Sequence, residues 1–181
     1  MGKRLAIAIY GLTNLMTFVA GQEFLPHLAA EKASTIFLFL TFTATLVHEV
    51  GHAIAVAALG ARIRVIAVWD LGYNFESGRF GVQKYRGSRE VAGYVRYALN
   101  DLATSSHDHA WIAAAGPAAN FFTAATAIGF HLFGPASILS GAAAMFAILS
   151  VGQAIANLTP FSGSDGSAIW AVISKQHANK S

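Results

Sequence analysis

One apolar run, residues 33–59, contains two histidines and a glutamate, and it limits the folds open to this chain. Glu49 is the only formally charged residue between Lys32 and Arg62. A charged side chain at the centre of a membrane helix costs about 2.5 to 3.5 kcal/mol, so such residues usually serve a function. The run is long enough to cross a bilayer as a helix, and its polar side chains then need partners.

The spacing His48-Glu49-x-x-His52 predicts a metal site on this helix. Positions i and i+4 share one helix face, so both imidazoles can reach the same ion. Imidazole is a good ligand for Zn²⁺, and Glu49 is then placed to act as a general base on a water molecule. The alternative is that both histidines are structural core residues, which is less favourable in hydrocarbon because each imidazole needs a polar partner.

The whole chain has the composition of a membrane protein. Hydrophobic residues make up 55% of its 181 residues and charged residues 12%, against about 25% charged in ordinary soluble domains. We predict an all-α polytopic membrane protein, a single domain over residues 1–181 with about four transmembrane helices and a short C-terminal helix. The predicted spans are residues 5–20, 33–59, 111–133 and 136–158.

Some classes of site and partner are excluded by composition. There is no cysteine, so disulfides and thiolate ligands are absent and a metal must be held by histidine and carboxylate. The net charge is only +3, and no basic patch suggests a nucleic-acid partner. The lipid bilayer is the expected environment.

The N-terminal run has two interpretations. Lys3 and Arg4 precede the apolar residues 5–20, as in a secretory signal peptide. The run is also about as long as a minimal transmembrane helix. We favour a retained first span with a cytoplasmic N-terminus.

The insertion 61–110 is the longest polar region, and its basic residues predict a cytoplasmic position by the positive-inside rule. These are Arg62, Arg64, Arg79, Lys84, Arg86, Arg89 and Arg96. His52 then lies about eight residues before the cytoplasmic end of its span, roughly 12 Å at 1.5 Å per residue. We expect a multi-pass protein of a bacterial inner membrane, with its metal site inside the bilayer near the cytoplasmic face.

Within the insertion we predict a β-hairpin followed by an amphipathic helix. Residues 62–69 alternate like a strand, residues 71–78 are rich in turn formers, and residues 79–85 predict a returning strand. Apolar side chains then recur at helical spacing at Val91, Tyr94, Val95, Ala98, Leu99 and Leu102. Two positions for this helix stay open, on the membrane surface or packed on the hairpin. In the link that follows, His107 and His109 flank Asp108, and we favour a solvated loop over a metal site there.

The third and fourth spans supply further polar groups. Pro117 lies near the start of the third span, where a proline is tolerated, and Asn120 is a buried polar residue that needs a partner. Pro160 ends or kinks the fourth span, and Asp165 begins a short apolar segment that either caps the bundle or dips into the bilayer. Asp165 is a candidate helix N-cap, a candidate metal ligand, or both.

Alternating spans place the two histidines, Glu49, Asn120 and Asp165 at a similar depth. Two imidazoles and one carboxylate leave a fourth tetrahedral position open, which is the pattern of catalytic rather than structural zinc sites. Glu49 would then accept a proton there and pass it to a leaving amine.

Three signatures together resemble those of the site-2 protease family of intramembrane zinc metalloproteases. They are His48-Glu49-x-x-His52, Gly116-Pro117-x-x-Asn120 and Asn157-x-x-Pro160-x-x-x-x-Asp165-Gly166. The resemblance implies that one zinc ion is bound by His48, His52 and Asp165 and that Glu49 is the catalytic base. It implies that Asn120 and Asn157 orient substrate or stabilise the reacting carbonyl. The implied substrates are transmembrane or signal-peptide-like proteins, cleaved near the cytoplasmic face.

The resemblance has further implications for the insertion and for the size of the chain. In that family the segment after the first motif often forms a membrane-associated sheet, so residues 62–85 are expected to hold substrate by edge pairing. The length leaves no room for the PDZ or nucleotide-sensing domains of some relatives, which implies a minimal core. The alternative functions are a catalytically silent member that binds transmembrane partners and, less favoured, a metal transporter. The complete motif argues against the first, and the clustering of ionisable groups at one depth argues against the second.

Overall fold

The computed structural model describes residues 2–25, 28–83, 92–98 and 105–178, which form five helices and four strands. The helices are α1 (Gly2–Phe24), α2 (Ala30–Ala58), α3 (Ser106–Phe133), α4 (Ile138–Leu158) and α5 (Asp165–Ala178). The strands are β1 (Arg62–Val68), β2 (Leu71–Asn74), β3 (Arg79–Val82) and β4 (Gly93–Ala98). The protein is therefore mostly helical, with a small sheet between α2 and α3.

Four of these helices, α1 to α4, are long and apolar enough to cross a membrane. Each overlaps one of the predicted spans, which confirms the number and order of the apolar helices. Large apolar side chains are exposed along them, among them Phe39 and Phe133. Exposed apolar surface of this extent is expected of helices that face lipid.

Close helix contacts are made at small residues. A Cβ atom at Gly152 of α4 would overlap the side chain of Thr13 in α1. A Cβ atom at Gly51 of α2 would lie 2.6 Å from the carbonyl oxygen of Ala115 and 2.7 Å from Cβ of Ala119, both in α3. Small residues let backbones approach, which is how helices associate where the solvent is as apolar as their side chains. Gly51 thereby brings α3 against the histidine face of α2.

The sheet is antiparallel, with strand order β3-β2-β1-β4. β1 runs back along α2 from Arg62, and beyond its end Trp69 meets Phe42 of α2 with ring centroids 5.5 Å apart. Ile63 and Tyr97 pack on a buried cluster formed by α2 and α3. The strands at the two edges are thus β3 and β4, and β4 is the edge strand that contacts α2.

The predicted organisation of the insertion is wrong in two respects. The amphipathic helix is absent among residues 92–98, where Tyr94 and Val95 belong to the strand β4. Val91, Leu99 and Leu102 lie outside the described residues. The turn-rich segment contains a further strand, β2, so β3 pairs with β2 and not with β1. Aromatic and β-branched residues suit a strand, and pairing with β1 outweighs their helical spacing.

The start of the third apolar helix is also wrong. α3 begins at Ser106, inside the predicted polar link, because Ser105 and Asp108 form a capping box. Pro117 consequently lies in the helix interior and is fully buried, instead of in the first turn. A proline there leaves the carbonyl of Ala113 without its usual helical donor.

Candidate metal centre

Helix α2 places His48, Glu49 and His52 inside the protein. All three residues are buried, with exposed fractions of 9% or less. The imidazoles of His48 and His52 stand edge to face with centroids 4.7 Å apart, as the i, i+4 spacing predicts. Their Nε2 atoms are 3.1 Å apart, so both rings direct the same nitrogen to one point.

Asp165 reaches that point from the first turn of α5. One carboxylate oxygen, Oδ2, lies 3.1 Å from Nε2 of His48, and the other, Oδ1, lies 3.4 Å from Nε2 of His52. Burial alone would raise the pKa of Asp165, but interactions with the imidazoles of His48 and His52 outweigh this effect and hold the pKa below its ordinary value. The carboxylate is therefore anionic at neutral pH.

Ser164 presents Asp165 by capping α5. Its Oγ accepts hydrogen bonds from the backbone amides of Ser167 and Phe161. Ser164 is thus the N-cap of α5 and Asp165 is the first helical residue, so the alternative of Asp165 as N-cap is wrong. A Cβ atom at Gly166 would overlap the carbonyl group of Leu158, which shows how closely this turn packs on the end of α4.

The ligand spacings fit a tetrahedral ion. His48, His52 and Asp165 each offer an atom within 4.8 Å of the others, and this group could hold a metal ion. Ligands at 2.0–2.2 Å from a tetrahedral ion are about 3.4 Å apart. The two Nε2 atoms are 3.1 Å apart, and each lies near a different oxygen of Asp165, at 3.1 Å for His48 and Oδ2 and at 3.4 Å for His52 and Oδ1, all close to this value.

A contact behind His52 also fits metal binding. Nδ1 of His52 lies 2.7 Å from the backbone oxygen of Ile112, and since a carbonyl only accepts, Nδ1 must donate. In a neutral imidazole Nε2 is then left with a lone pair, which faces Nε2 of His48 and Oδ1 of Asp165. A cation between these groups would remove the repulsion between this lone pair and Oδ1 of Asp165, and a hydrogen bond from the other ring nitrogen is the usual support of a metal-binding histidine.

The two candidate asparagines contact different nitrogens of His48. Nδ2 of Asn157 lies 3.3 Å from Nε2, on the side of the ligand cluster. Nδ2 of Asn120 lies 3.4 Å from Nδ1, the ring nitrogen of His48 that faces away from Asp165 and His52. Both residues are near the centre, as predicted, but only Asn157 is on its ligand side.

Glu49 lies beneath the edge strand of the sheet. A Cβ atom at Gly93 of β4 would fall 2.6 Å from Oε1 of Glu49, so the backbone of β4 passes directly over the carboxylate. This contact could not be predicted from the sequence, because it depends on the pairing of β4 with β1. His107 and His109, by contrast, are exposed at the start of α3, where Asp108 is engaged in the capping box.

Gly116 of α3 borders the space between His48 and His52, and this space stays open because glycine has no side chain. A Cβ atom there would lie 2.6 Å from Cε1 of His52 and 2.8 Å from Nε2 of His48. We expect Gly116→Ala to lower zinc affinity at least about 10-fold, as disturbed ligand support commonly does. Zinc binding by the purified protein, measured in competition with a chelator, checks this.

Gly129→Ala is the matched control for that substitution. Gly129 lies in the same helix, and nothing comes within 4 Å of a Cβ atom placed there. This variant should bind zinc like the wild type. Equal affinity of both variants and the wild type would show that Gly116 does not border the ion.

No protein-family model, curated protein or solved structure matches this chain. The assignment of a function therefore depends on the residues and their geometry.

Proposed function

We propose that the protein is an intramembrane zinc metalloprotease of the site-2 protease type. The observation that carries the proposal is the convergence of His48, His52 and Asp165 from two distant parts of the chain, with a buried glutamate next to the first of them. This cluster lies between helices apolar enough to span a membrane. The combination favours hydrolysis of a peptide bond within the bilayer.

One zinc ion suits the ligand set. Two imidazole nitrogens and a carboxylate form the three-ligand set of catalytic zinc sites, whereas Mg²⁺ and Ca²⁺ prefer oxygen ligands. Bound zinc would polarise the scissile carbonyl and make water a better nucleophile at neutral pH. Among the described residues no second group of ligating side chains lies close enough to hold an ion, which disfavours a transport path with several sites.

The protein's own groups supply the remaining chemistry. Glu49 accepts the proton of the attacking water and delivers it to the leaving amine nitrogen. Nδ2 of Asn157, on the ligand side of His48, donates a hydrogen bond to the carbonyl oxygen of the substrate as negative charge develops there. Burial of Glu49 under β4 limits access of bulk water to this proton transfer.

The sheet provides a docking edge for an extended substrate. β4 is an edge strand, and its Gly93 lies against Glu49. A substrate segment added to β4 would run past the base with its amides unwound from helical hydrogen bonds, as hydrolysis requires. The substrates are transmembrane or signal-peptide-like segments. From the basic residues of the insertion we infer that the N-terminus and residues 61–110 lie on the cytoplasmic side.

Cleavage by the reconstituted protein tests this function. The zinc-bound protein in liposomes, offered a set of fluorescent single-span peptides, should release fragments. Removal of zinc with a chelator should stop cleavage, and added Zn²⁺ but not Mg²⁺ should restore it, because the ligand set is nitrogen-rich. Fragments that continue to appear from verified metal-free protein would contradict the proposal.

A further inference from the structure

Asn120 is placed to act on His48 and not on a substrate. Its side chain is completely buried, and its Nδ2 lies 3.4 Å from Nδ1 of His48. Its Oδ1 is also buried and has no hydrogen-bond partner among the described residues. A buried amide oxygen without a partner is unfavourable, so this end of Asn120 needs a donor in some state of the site.

The donor is supplied by the other tautomer of His48. A neutral imidazole carries one hydrogen, on Nδ1 or on Nε2. With Nδ2 of Asn120 facing Nδ1, a neutral His48 carries its hydrogen on Nε2 and donates it to Oδ2 of Asp165 at 3.1 Å, and Nδ2 of Asn157, 3.3 Å from the same nitrogen, is then not hydrogen-bonded to it. When Nε2 binds a metal, the hydrogen must lie on Nδ1, and Nδ1–H needs an acceptor. Rotation of the Asn120 amide by 180° exchanges Nδ2 for Oδ1 and supplies that acceptor.

We propose that Asn120 is the positioning residue that sets the tautomer of His48. Its Nδ2 donates to Nδ1 when Nε2 carries hydrogen, and its Oδ1 accepts from Nδ1–H when Nε2 is a metal ligand. The inference rests on the zinc site of the proposed function, though not on protease activity. His52 receives the equivalent support from a fixed acceptor, the carbonyl oxygen of Ile112. The two histidines of α2 therefore differ. The carbonyl of Ile112 can only accept from His52, whereas the amide of Asn120 can donate to His48 in one orientation and accept from it in the other.

Two substitutions separate this role from a contact with substrate. Asn120→Leu removes both donor and acceptor at similar volume, and we expect zinc affinity to fall about 10- to 100-fold. Asn120→Asp keeps the acceptor and should bind zinc close to the wild-type level, since a carboxylate is a common partner of zinc-bound histidine. If Asn120 instead donated to the substrate carbonyl, both variants would bind zinc normally and neither would cleave normally.

Ser150→Ala is the control for loss of a buried polar group. Ser150 is also fully buried, and its Oγ has no hydrogen-bond partner among the described residues, so it makes no hydrogen bond to His48, His52 or Asp165. This variant should keep wild-type zinc affinity. Helix content measured by circular dichroism identifies any variant that fails to fold.

A measurement on the wild-type chain does not depend on folding of a variant. The ¹⁵N spectrum of histidine-labelled protein should show His48 with hydrogen on Nε2 without zinc and on Nδ1 with zinc. An unprotonated Nδ1 in the zinc-bound protein, or wild-type affinity of Asn120→Leu, would overturn the proposal. The ¹⁵N spectrum and the zinc affinity are both measured without substrate. A protein that binds zinc as expected but cleaves no peptide would therefore refute the proposed protease activity and not the proposed role of Asn120.

Discussion

Glu49→Gln is expected to lower the rate of peptide cleavage by about 10²- to 10⁴-fold, the contribution of a positioned general base. Glutamine has nearly the same size but cannot accept a proton from water. Zinc affinity should stay near the wild-type value, because the ligand atoms belong to His48, His52 and Asp165. The measurements are the initial cleavage rate at saturating zinc and the zinc content of the same sample.

The matched control is Glu31→Gln in the same helix. Glu31 is exposed in the first turn of α2, so this variant undergoes the same chemical change away from the site and should cleave normally. Normal cleavage by Glu49→Gln would refute the base assignment. If the assignment holds, the inactive variant should also retain uncut substrates, which mass spectrometry of the copurified proteins would identify.

Part of the candidate metal group could be predicted from sequence, because two of its three side chains depend on helix geometry alone. His48 and His52 are four residues apart in a segment that can only be helical in a membrane, so their convergence follows from the 3.6-residue turn. Asp165 was predicted from the order of the spans and from the family resemblance. Its local placement was not, because the N-cap role of Ser164 depends on hydrogen bonds to Phe161 and Ser167.

The sheet shows where sequence reasoning fails. β1 and β2 are joined by the two-residue turn Trp69-Asp70, in which both residues have positive φ. Such turns usually contain asparagine or glycine, so this hairpin had no recognisable turn signal. β4 was mistaken for a helix because its apolar residues fit both periods, and pairing with β1 decided between them.

The two asparagines illustrate a limit of a different kind. Asn120 was predicted near the centre because it is a polar residue at the right depth in an apolar span, whereas Asn157 was predicted there only from the family resemblance. Their roles depend on which nitrogen of His48 each one contacts, and that is set by the side-chain rotamers and by the packing of α3 and α4. Gly93 over Glu49 is likewise a tertiary contact, with no local signal in the sequence.

Asp165→Asn is expected to weaken zinc binding by more than the roughly 10- to 100-fold that loss of an outer hydrogen bond costs. The substitution removes the anionic ligand and leaves a neutral amide of the same size. Ser164 still caps α5, so the loop should form and the loss should be confined to the ion. Zinc affinity by chelator competition and cleavage at saturating zinc are the two measurements.

Asp108→Asn is the matched control, since Asp108 is also a carboxylate in the first turn of a helix but accepts only from Ser105. It should lose helix-capping stability of about 1 kcal/mol and no zinc affinity. Wild-type zinc affinity of Asp165→Asn would contradict the three-ligand site. The geometry predicts otherwise, because without the carboxylate the two facing imidazoles provide only two ligands, and a catalytic zinc site needs three.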